Sequence, residues 1–144
     1  MKAVLQRVSK ARVKIKNRTI AKIGPGYLIL LGIHKNDTGK NADSLAQKII
    51  NLRLMSDKNN KMNLSLGDSG GEILVVSQFT LLADTSSRRP GFTQAAPPDK
   101  AKILYRRFIT QLKQGGVVVK EGLFGAYMHL SLTNDGPVTI ILNL

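Results

Sequence analysis

Apolar and polar positions alternate along most of this chain, and a helical period interrupts the alternation twice. Residues 2–8 and 11–16 read as strands. In the second, Ala11, Val13 and Ile15 alternate with Arg12, Lys14 and Lys16, so one face is apolar and the other cationic. Asn17-Arg18 reads as a turn into a strand over 19–23. Gly24-Pro25-Gly26 then breaks the pattern, and the continuous apolar run from Tyr27 to Ile33 predicts a buried strand. Ala42, Leu45, Ala46, Ile49 and Ile50 fall on one stripe of a helix over 41–52, with Thr38 or Asn41 available as its cap. A short edge strand is predicted over 62–64, between a polar turn at 57–61 and a loop at 66–71. Residues 72–79 form the most strand-like run, apolar in its first half and polar at its end. A second helix opens at Pro97-Pro98-Asp99, carries Leu104, Tyr105, Phe108 and Leu112 on its core face, and stops at Gly115-Gly116. Strands follow over 117–121, 126–133 and 138–144. Two helices among many strands, without regular βαβ alternation, predict an α+β fold. Mixed or antiparallel β-sheets would pack with two main helices in a single layered α/β/β domain over residues 1–144.

The last two strands meet at Asn134-Asp135-Gly136-Pro137-Val138-Thr139. Asp-Gly between such strands predicts a hairpin, but Pro137 fixes its own φ and has no N–H for a ladder. The Gly136-Pro137 bond is among the few in the chain with low-cost access to a cis geometry. A cis proline there makes a type VI turn over 135–138 and leaves the Gly136 and Pro137 carbonyls pointing outward. On local rules alone an ordinary surface turn is the simpler reading.

Charge changes the picture most. Twenty-two Lys and Arg against nine Asp and Glu give +13, eight of the basic residues fall in the first twenty-two positions, and nucleic acid is the first partner to suspect. Without cysteine, thiolate chemistry and disulfides are excluded. The first residues have no leader-like apolar core, and no apolar run has the length of a membrane span. His34 and His129 lack metal-ligand spacing, and the acidic residues form no close pair. No phosphate-binding loop, nucleophile elbow or dinucleotide fingerprint is present, so no cofactor or metal is implied. An enzyme built from this inventory works with hydroxyls, amides, backbone dipoles or groups borrowed from its substrate. Ser77-Gln78-Phe79-Thr80 places hydrogen-bonding groups where a buried strand surfaces, a good place to aim N–H groups at an oxyanion. Thr80 as a nucleophile lacks a visible base.

Ser77-Gln78-Phe79-Thr80-Leu81 together with Asn134-Asp135-Gly136-Pro137-Val138-Thr139 resembles the paired signature of the D-aminoacyl-tRNA deacylases. Gln6-Arg7-Val8-Ser9-Lys10-Ala11-Arg12-Val13, Ile23-Gly24-Pro25-Gly26, Lys61-Met62-Asn63-Leu64-Ser65-Leu66 and Arg89-Pro90-Gly91-Phe92 extend the resemblance over essentially the whole chain. It implies a cytosolic homodimer that hydrolyses the ester of D-aminoacyl-tRNA, and accepts glycyl-tRNA, as a step of chiral proofreading. A cis Gly136-Pro137 turn of one subunit would enter the other's pocket, its carbonyls holding the substrate ammonium and excluding an L side chain. Ser77, Gln78, Phe79 and Thr80 would line that pocket, with the Phe79 and Thr80 N–H groups as oxyanion donors. Arg7 would brace the turn and Met128 would form part of the wall. The ribose 2′-hydroxyl of the substrate would help activate water.

The chain departs from the family pattern in places. The loop over 84–92 is about a residue short, Gly91 stands where serine is common, and Tyr127 where an acidic residue is expected. Arg88 and Arg89 in that loop remain candidates for RNA phosphate. The competing reading is a non-catalytic basic RNA- or DNA-binding module using the cationic N-terminal strands and the second helix. Few aromatics (three Tyr, four Phe, no Trp) weigh against a base-stacking platform.

Overall fold

A computed structural model describes residues 1–144. The strands are β1 (Lys2–Ile15), β2 (Arg18–Ile23), β3 (Gly26–Gly32), β4 (Met55–Ser56), β5 (Met62–Leu64), β6 (Glu72–Ser77), β7 (Val118–Glu121) and β8 (His129–Asn143). The helices are α1 (Gly39–Asn51), the single turn α2 (Leu66–Ser69) and α3 (Pro98–Gln114), with a 3-10 turn over Phe79–Leu82. The fold is α+β with a mixed sheet, as the sequence predicts. The main sheet runs β2-β1-β3-β6-β7, and β8 adds to β1. Pairs involving β1 are antiparallel, whereas β3, β6 and β7 are parallel.

Two cores follow from the strand pattern. Ala3, Leu5, Tyr27, Ile29, Leu31, Ile73 and Val75 face α1 and α3, which bury Leu45, Ile49, Phe108 and Leu112 against them. Val8, Ala11, Val13, Ile23, Leu28, Leu74 and Val76 form a second core made of strand residues alone, so the sheet curls over itself. Its two ends meet where Lys120 Nζ of β7 donates to the Lys22 carbonyl of β2 at 2.9 Å. Lys120 also pairs with Glu72 at 2.9 Å. The Gly24 N–H and then the Lys120 ammonium hold the Glu72 carboxyl below the usual carboxylate range. The helices are pinned together by a two-pronged Arg107–Asp43 contact at 2.8 and 2.7 Å.

Several predicted elements are corrected. Residues 2–8 and 11–16 are not two strands but one, which pairs with β3 through its first half and with β2 through its second. Ala3 and Leu5 face the helices while Ala11 and Val13, of the same parity, face the inner core. Irregularities between Gln6 and Lys10 absorb the switch. The predicted strand over 72–79 ends at Ser77, and the loop at 66–71 contains one helical turn, capped by Ser65 through Asp68. The strand placed over 126–133 begins only at His129.

The predicted hairpin at 134–139 is also absent. The segments on either side of it do not pair with each other; both pair with β1, in one continuous direction. Gln6 pairs with Thr139 and Val8 with Asn134, so residues 135–138 loop out opposite the single residue Arg7. A proline that cannot serve a ladder is tolerated because no ladder is asked of it.

Close approach of β3 and β6 rests on glycine. Gly26 has φ +153°, and a Cβ there would lie 1.9 Å from the Glu72 carbonyl oxygen. Gly26→Ala is therefore expected to lower the unfolding free energy by more than about 3 kcal/mol, read as a shift in the urea midpoint. A loss below about 1 kcal/mol would mean that the two strands can part to admit a methyl group.

Candidate active site

The parallel strands β3 and β6 end side by side, and the cavity opens beyond their C-terminal ends, where mixed α/β sheets commonly bind ligands. It measures about 880 Å³. Ser77, Gln78, Phe79 and Thr80 line it at the end of β6. Leu130 comes from the start of β8, Phe124 to Met128 from the bend that precedes it, Phe92 and residues 95–97 from the segment before α3, and Pro98 and Ala101 from the first turn of α3. That last segment is stitched to the end of β3 by Lys35 N–H to the Gln94 carbonyl at 2.9 Å and Ala96 N–H to the Ile33 carbonyl at 2.8 Å. Met128 is seated over Gly122, where a Cβ would lie 2.8 Å from its sulfur.

The chemistry of this lining is unusual in what it holds. Serine, threonine and glutamine supply its polar side chains, and Tyr127 is its only titratable residue. No carboxylate, imidazole, ammonium or guanidinium lines it. The Thr80 hydroxyl accepts from Gln78 Nε2 at 2.5 Å, and an amide cannot take its proton. Backbone donors are better placed. Gln78 N–H is held by the Leu31 carbonyl at 2.8 Å, while Leu81 and Ala83 N–H groups close the 3-10 turn on the Gln78 and Thr80 carbonyls. Phe79 and Thr80 occupy the first positions of that turn, where an N–H has no acceptor within it. Two successive donors thus stand at the cavity wall.

A second cluster holds the 135–138 loop. Arg7 is only 7% exposed, one of two charged residues buried in the chain. Its Nε donates to the Asp135 carbonyl at 3.1 Å and Nη1 to the Leu54 carbonyl at 2.8 Å and Ser56 Oγ at 3.2 Å. The Asp135 carboxylate lies 3.2 Å from Nε. From within the loop, Asn134 Oδ1 accepts the Val138 N–H at 2.8 Å, and Asn134 Nδ2 donates to Thr139 Oγ1 at 3.0 Å. The Gly136-Pro137 bond is cis and both residues are exposed. Tyr27, the β3 partner of Arg7, lies beneath; burial raises its hydroxyl pKa, which the Leu54 backbone and the Arg7 charge partly offset.

The structure thus brings Ser77, Gln78, Phe79, Thr80 and Met128 into one cavity, and Arg7, Gly136 and Pro137 into a separate cluster whose loop does not line that cavity. Arg88 and Arg89 lie in the exposed loop closed by the Asp84–Gly91 bridge, outside the cavity lining. Sequence reasoning missed the wall from Ala95 to Ala101 and the bend at 124–126, which carry no motif of their own, and gave Phe92 and Tyr127 no place in the cavity. It also gave no role to Asn134, whose side chain mimics a backbone acceptor as asparagine does in tight turns.

Fold and site together define an α+β protein with a largely apolar, non-ionic cavity beyond two parallel strands. Comparison with known proteins is consistent along the entire chain. The model of the D-Tyr-tRNA(Tyr) deacylase family matches residues 4–143. The chain is 54% identical to the D-aminoacyl-tRNA deacylase of Thermodesulfovibrio yellowstonii, covering 99% of both chains. It is 51% identical to that of Clostridioides difficile, over 99% of this chain and 97% of the relative. A solved structure described as a c-Myc DNA unwinding element binding protein superposes with a TM-score of 0.94 at 42% identity, covering 100% of this chain and 99% of the other. A probable eukaryotic D-amino acid tRNA deacylase shares the fold, with a TM-score of 0.88 at 17% identity over 99% and 98% of the two chains. The chain belongs to the D-Tyr-tRNA(Tyr) deacylase family of hydrolases.

Removing the guanidinium leaves the Leu54 and Asp135 carbonyls and the Ser56 hydroxyl without their buried donor. Arg7→Met is expected to cost about 2–4 kcal/mol in chemical denaturation and to reduce hydrogen-exchange protection at the Val138 amide. Parent-like stability together with parent-like protection would show that Asn134 holds the loop unaided.

Proposed function

We propose that this protein hydrolyses the ester joining a D-amino acid to the 3′ end of tRNA and rejects the L-aminoacyl ester. The observation that carries the reading is a cavity with two free backbone N–H donors and no side-chain acid or base. Such a site suits a substrate that is already reactive. An aminoacyl ester needs chiefly to be positioned and to have its developing oxyanion stabilised. Water attacks the carbonyl carbon, the tetrahedral oxyanion is held by the Phe79 and Thr80 N–H groups, and the ribose oxygen leaves with a proton. The products are free tRNA and the amino acid. The neighbouring ribose 2′-hydroxyl takes the place of the missing base by orienting the water.

Chirality is read by main-chain oxygen. The exposed Gly136–Pro137 loop does not line the cavity of its own chain, which supports a homodimer in which each loop enters the partner's cavity. There the Gly136 and Pro137 carbonyls accept from the substrate α-ammonium and occupy the space an L side chain needs. Glycine, having no side chain, passes the same test, so glycyl-tRNA is also a substrate. Arg7 positions the loop from its own subunit, and Met128 limits the depth of the cavity. The place of action is the cytosol, where aminoacyl-tRNA is used.

A structural neighbour at 42% identity is described as binding DNA, which favours keeping the non-catalytic nucleic-acid module as the second reading. Deacylation separates the two. Incubated with the protein, D-tyrosyl-tRNA is expected to lose its ester at least about a hundredfold faster than L-tyrosyl-tRNA, a difference of about 2.7 kcal/mol. Equal rates for the two esters would sink the assignment.

Thr80→Ala decides the mechanism. Activity within about fivefold of the parent is expected if water is the nucleophile, whereas a fall of about 10⁴ or more would make the hydroxyl the nucleophile.

A further inference from the structure

The outer face of the curled sheet carries a charge arrangement that the folded chain does not compensate. Lys10 pairs across the ladder with Thr133, Arg12 with Ser131 and Lys14 with His129. Directly opposed residues share a face. Their alternates Ala11, Val13, Leu130 and Leu132 belong to the inner core, so Lys10, Arg12 and Lys14 stand on the outside. On the other flank Arg12 pairs with Lys22, which is exposed while Ala21 and Ile23 are buried. Like charges opposed in a ladder destabilise it. No carboxylate occurs in residues 10–22 or 129–133, and the ion pairs of the molecule use the Met1 ammonium, Arg7, Arg107 and Lys120 instead.

This face is continuous with the cavity. Tyr127 lines the cavity yet is 84% exposed, and its ring stands edge-on to His129 with centroids 5.4 Å apart. His129 is in turn the ladder partner of Lys14. Three of the seven aromatic residues, Phe79, Phe92 and Tyr127, are exposed, and all three line this one cavity. The few aromatics of the sequence are therefore gathered where a single-stranded end would arrive. Helix α3 is a weaker candidate for a polyanion, because Arg107 is paired with Asp43 and Lys100 Nζ is bonded to the Lys35 carbonyl.

We propose that Lys10, Arg12, Lys14 and Lys22 form the track for the phosphate backbone of the RNA, and that Tyr127 is the shelf on which an unpaired base stacks at the cavity mouth. The partner is recognised by the chemistry of an anionic strand with a free aromatic base, bound by cation–phosphate contact and sequence-tolerant stacking. Naming that strand as the substrate's own 3′ end rests on the deacylase reading; the surface itself does not.

The test compares D-tyrosyl-tRNA with the D-tyrosyl ester of adenosine, which has the reactive end but no phosphate. For Arg12→Gln/Lys14→Gln the ratio of kcat/KM on the tRNA ester to that on the adenosine ester is expected to fall at least about tenfold, through KM. The slope of log affinity for uncharged tRNA against log salt should shrink by about 1.5. Tyr127→Ala is expected to weaken uncharged tRNA binding about tenfold with the salt slope kept, as loss of stacking rather than of charge. Turnover of the adenosine ester shows that Arg12→Gln/Lys14→Gln is folded, and a parent-like urea midpoint shows it for Tyr127→Ala. A ratio unchanged in Arg12→Gln/Lys14→Gln, or a loss found instead in Lys102→Gln/Arg106→Gln, overturns the assignment. Should the parent hydrolyse neither ester, the deacylase reading fails by itself. Affinity for uncharged tRNA then decides the surface: weaker binding by the sheet variants upholds it, and parent-like binding overturns it.

Discussion

A double break in register between β1 and β8 organises the molecule. β1 and β8 run together for most of their lengths, and both change cores on the way: Ala3 and Leu5 with Leu142 face the helices, Ala11 and Val13 with Leu130 and Leu132 face the inside of the curled sheet. A pair of strands cannot make that change in perfect register, because side chains alternate with a period of two. Here the ladder yields at two neighbouring places: Arg7 stands opposite residues 135–138, and Ser9 is an extra residue of β1 between the pairs Val8–Asn134 and Lys10–Thr133. The loop that results is neither a hairpin tip nor a floppy insertion. It stands over a buried guanidinium whose hydrogen bonds also reach the Leu54 carbonyl and the Ser56 hydroxyl, so loop, sheet and β4 are tied at a single residue.

The same curling that creates the break also shapes the cavity. Because β8 and the residue before it start on the inner core, Met128 and Leu130 share a cavity lining with the end of β6 and the first residues of the 3-10 turn, Phe79 and Thr80. The cavity is then apolar by default: its walls are core residues at the point where the core meets solvent. Charge is absent from its lining, and the outer surface of β1 and β2, which adjoins it through Tyr127 and His129, is cationic.

Much of this was legible in the sequence. Helical spacing at Ala42, Leu45 and Ile49 and the Pro98 and Gly115 boundaries located both long helices, since amphipathic period and terminal residues are local properties. Alternation located nearly every strand. What failed was pairing. Asp135-Gly136 between two alternating runs carries the local marks of a hairpin, and nothing local says that both runs pair with a third strand far away in sequence. Likewise β1 read as two strands because its parity changes at Ser9 and Lys10, which is how a bulge looks before its partner is known. The resemblance singled out Ser77 to Thr80 and Asn134 to Thr139, of which the first stretch lines the cavity and the second does not. That the two stretches lie in separate clusters of one chain is a tertiary fact. The wall built by Ala95, Ala96 and Phe124 had no motif because packing needs only shape and apolarity there.

A site that selects through main-chain oxygen depends on rigidity more than one built from side chains. A side chain can be steered by its own rotamer and partners, whereas a carbonyl moves only with its backbone. In this protein two independent devices restrain the loop: Asn134 closes it from within, by accepting the Val138 N–H, and Arg7 holds it from below through the Asp135 carbonyl. Neither residue needs to touch a ligand to matter. If Gly136 and Pro137 distinguish mirror-image substrates, the difference they sense is a displacement of a few atoms about one carbon, and the precision of that distinction is set by how little the loop can give. Selectivity would then reside partly in Arg7, a residue of the first strand, buried and far in sequence from the loop it restrains.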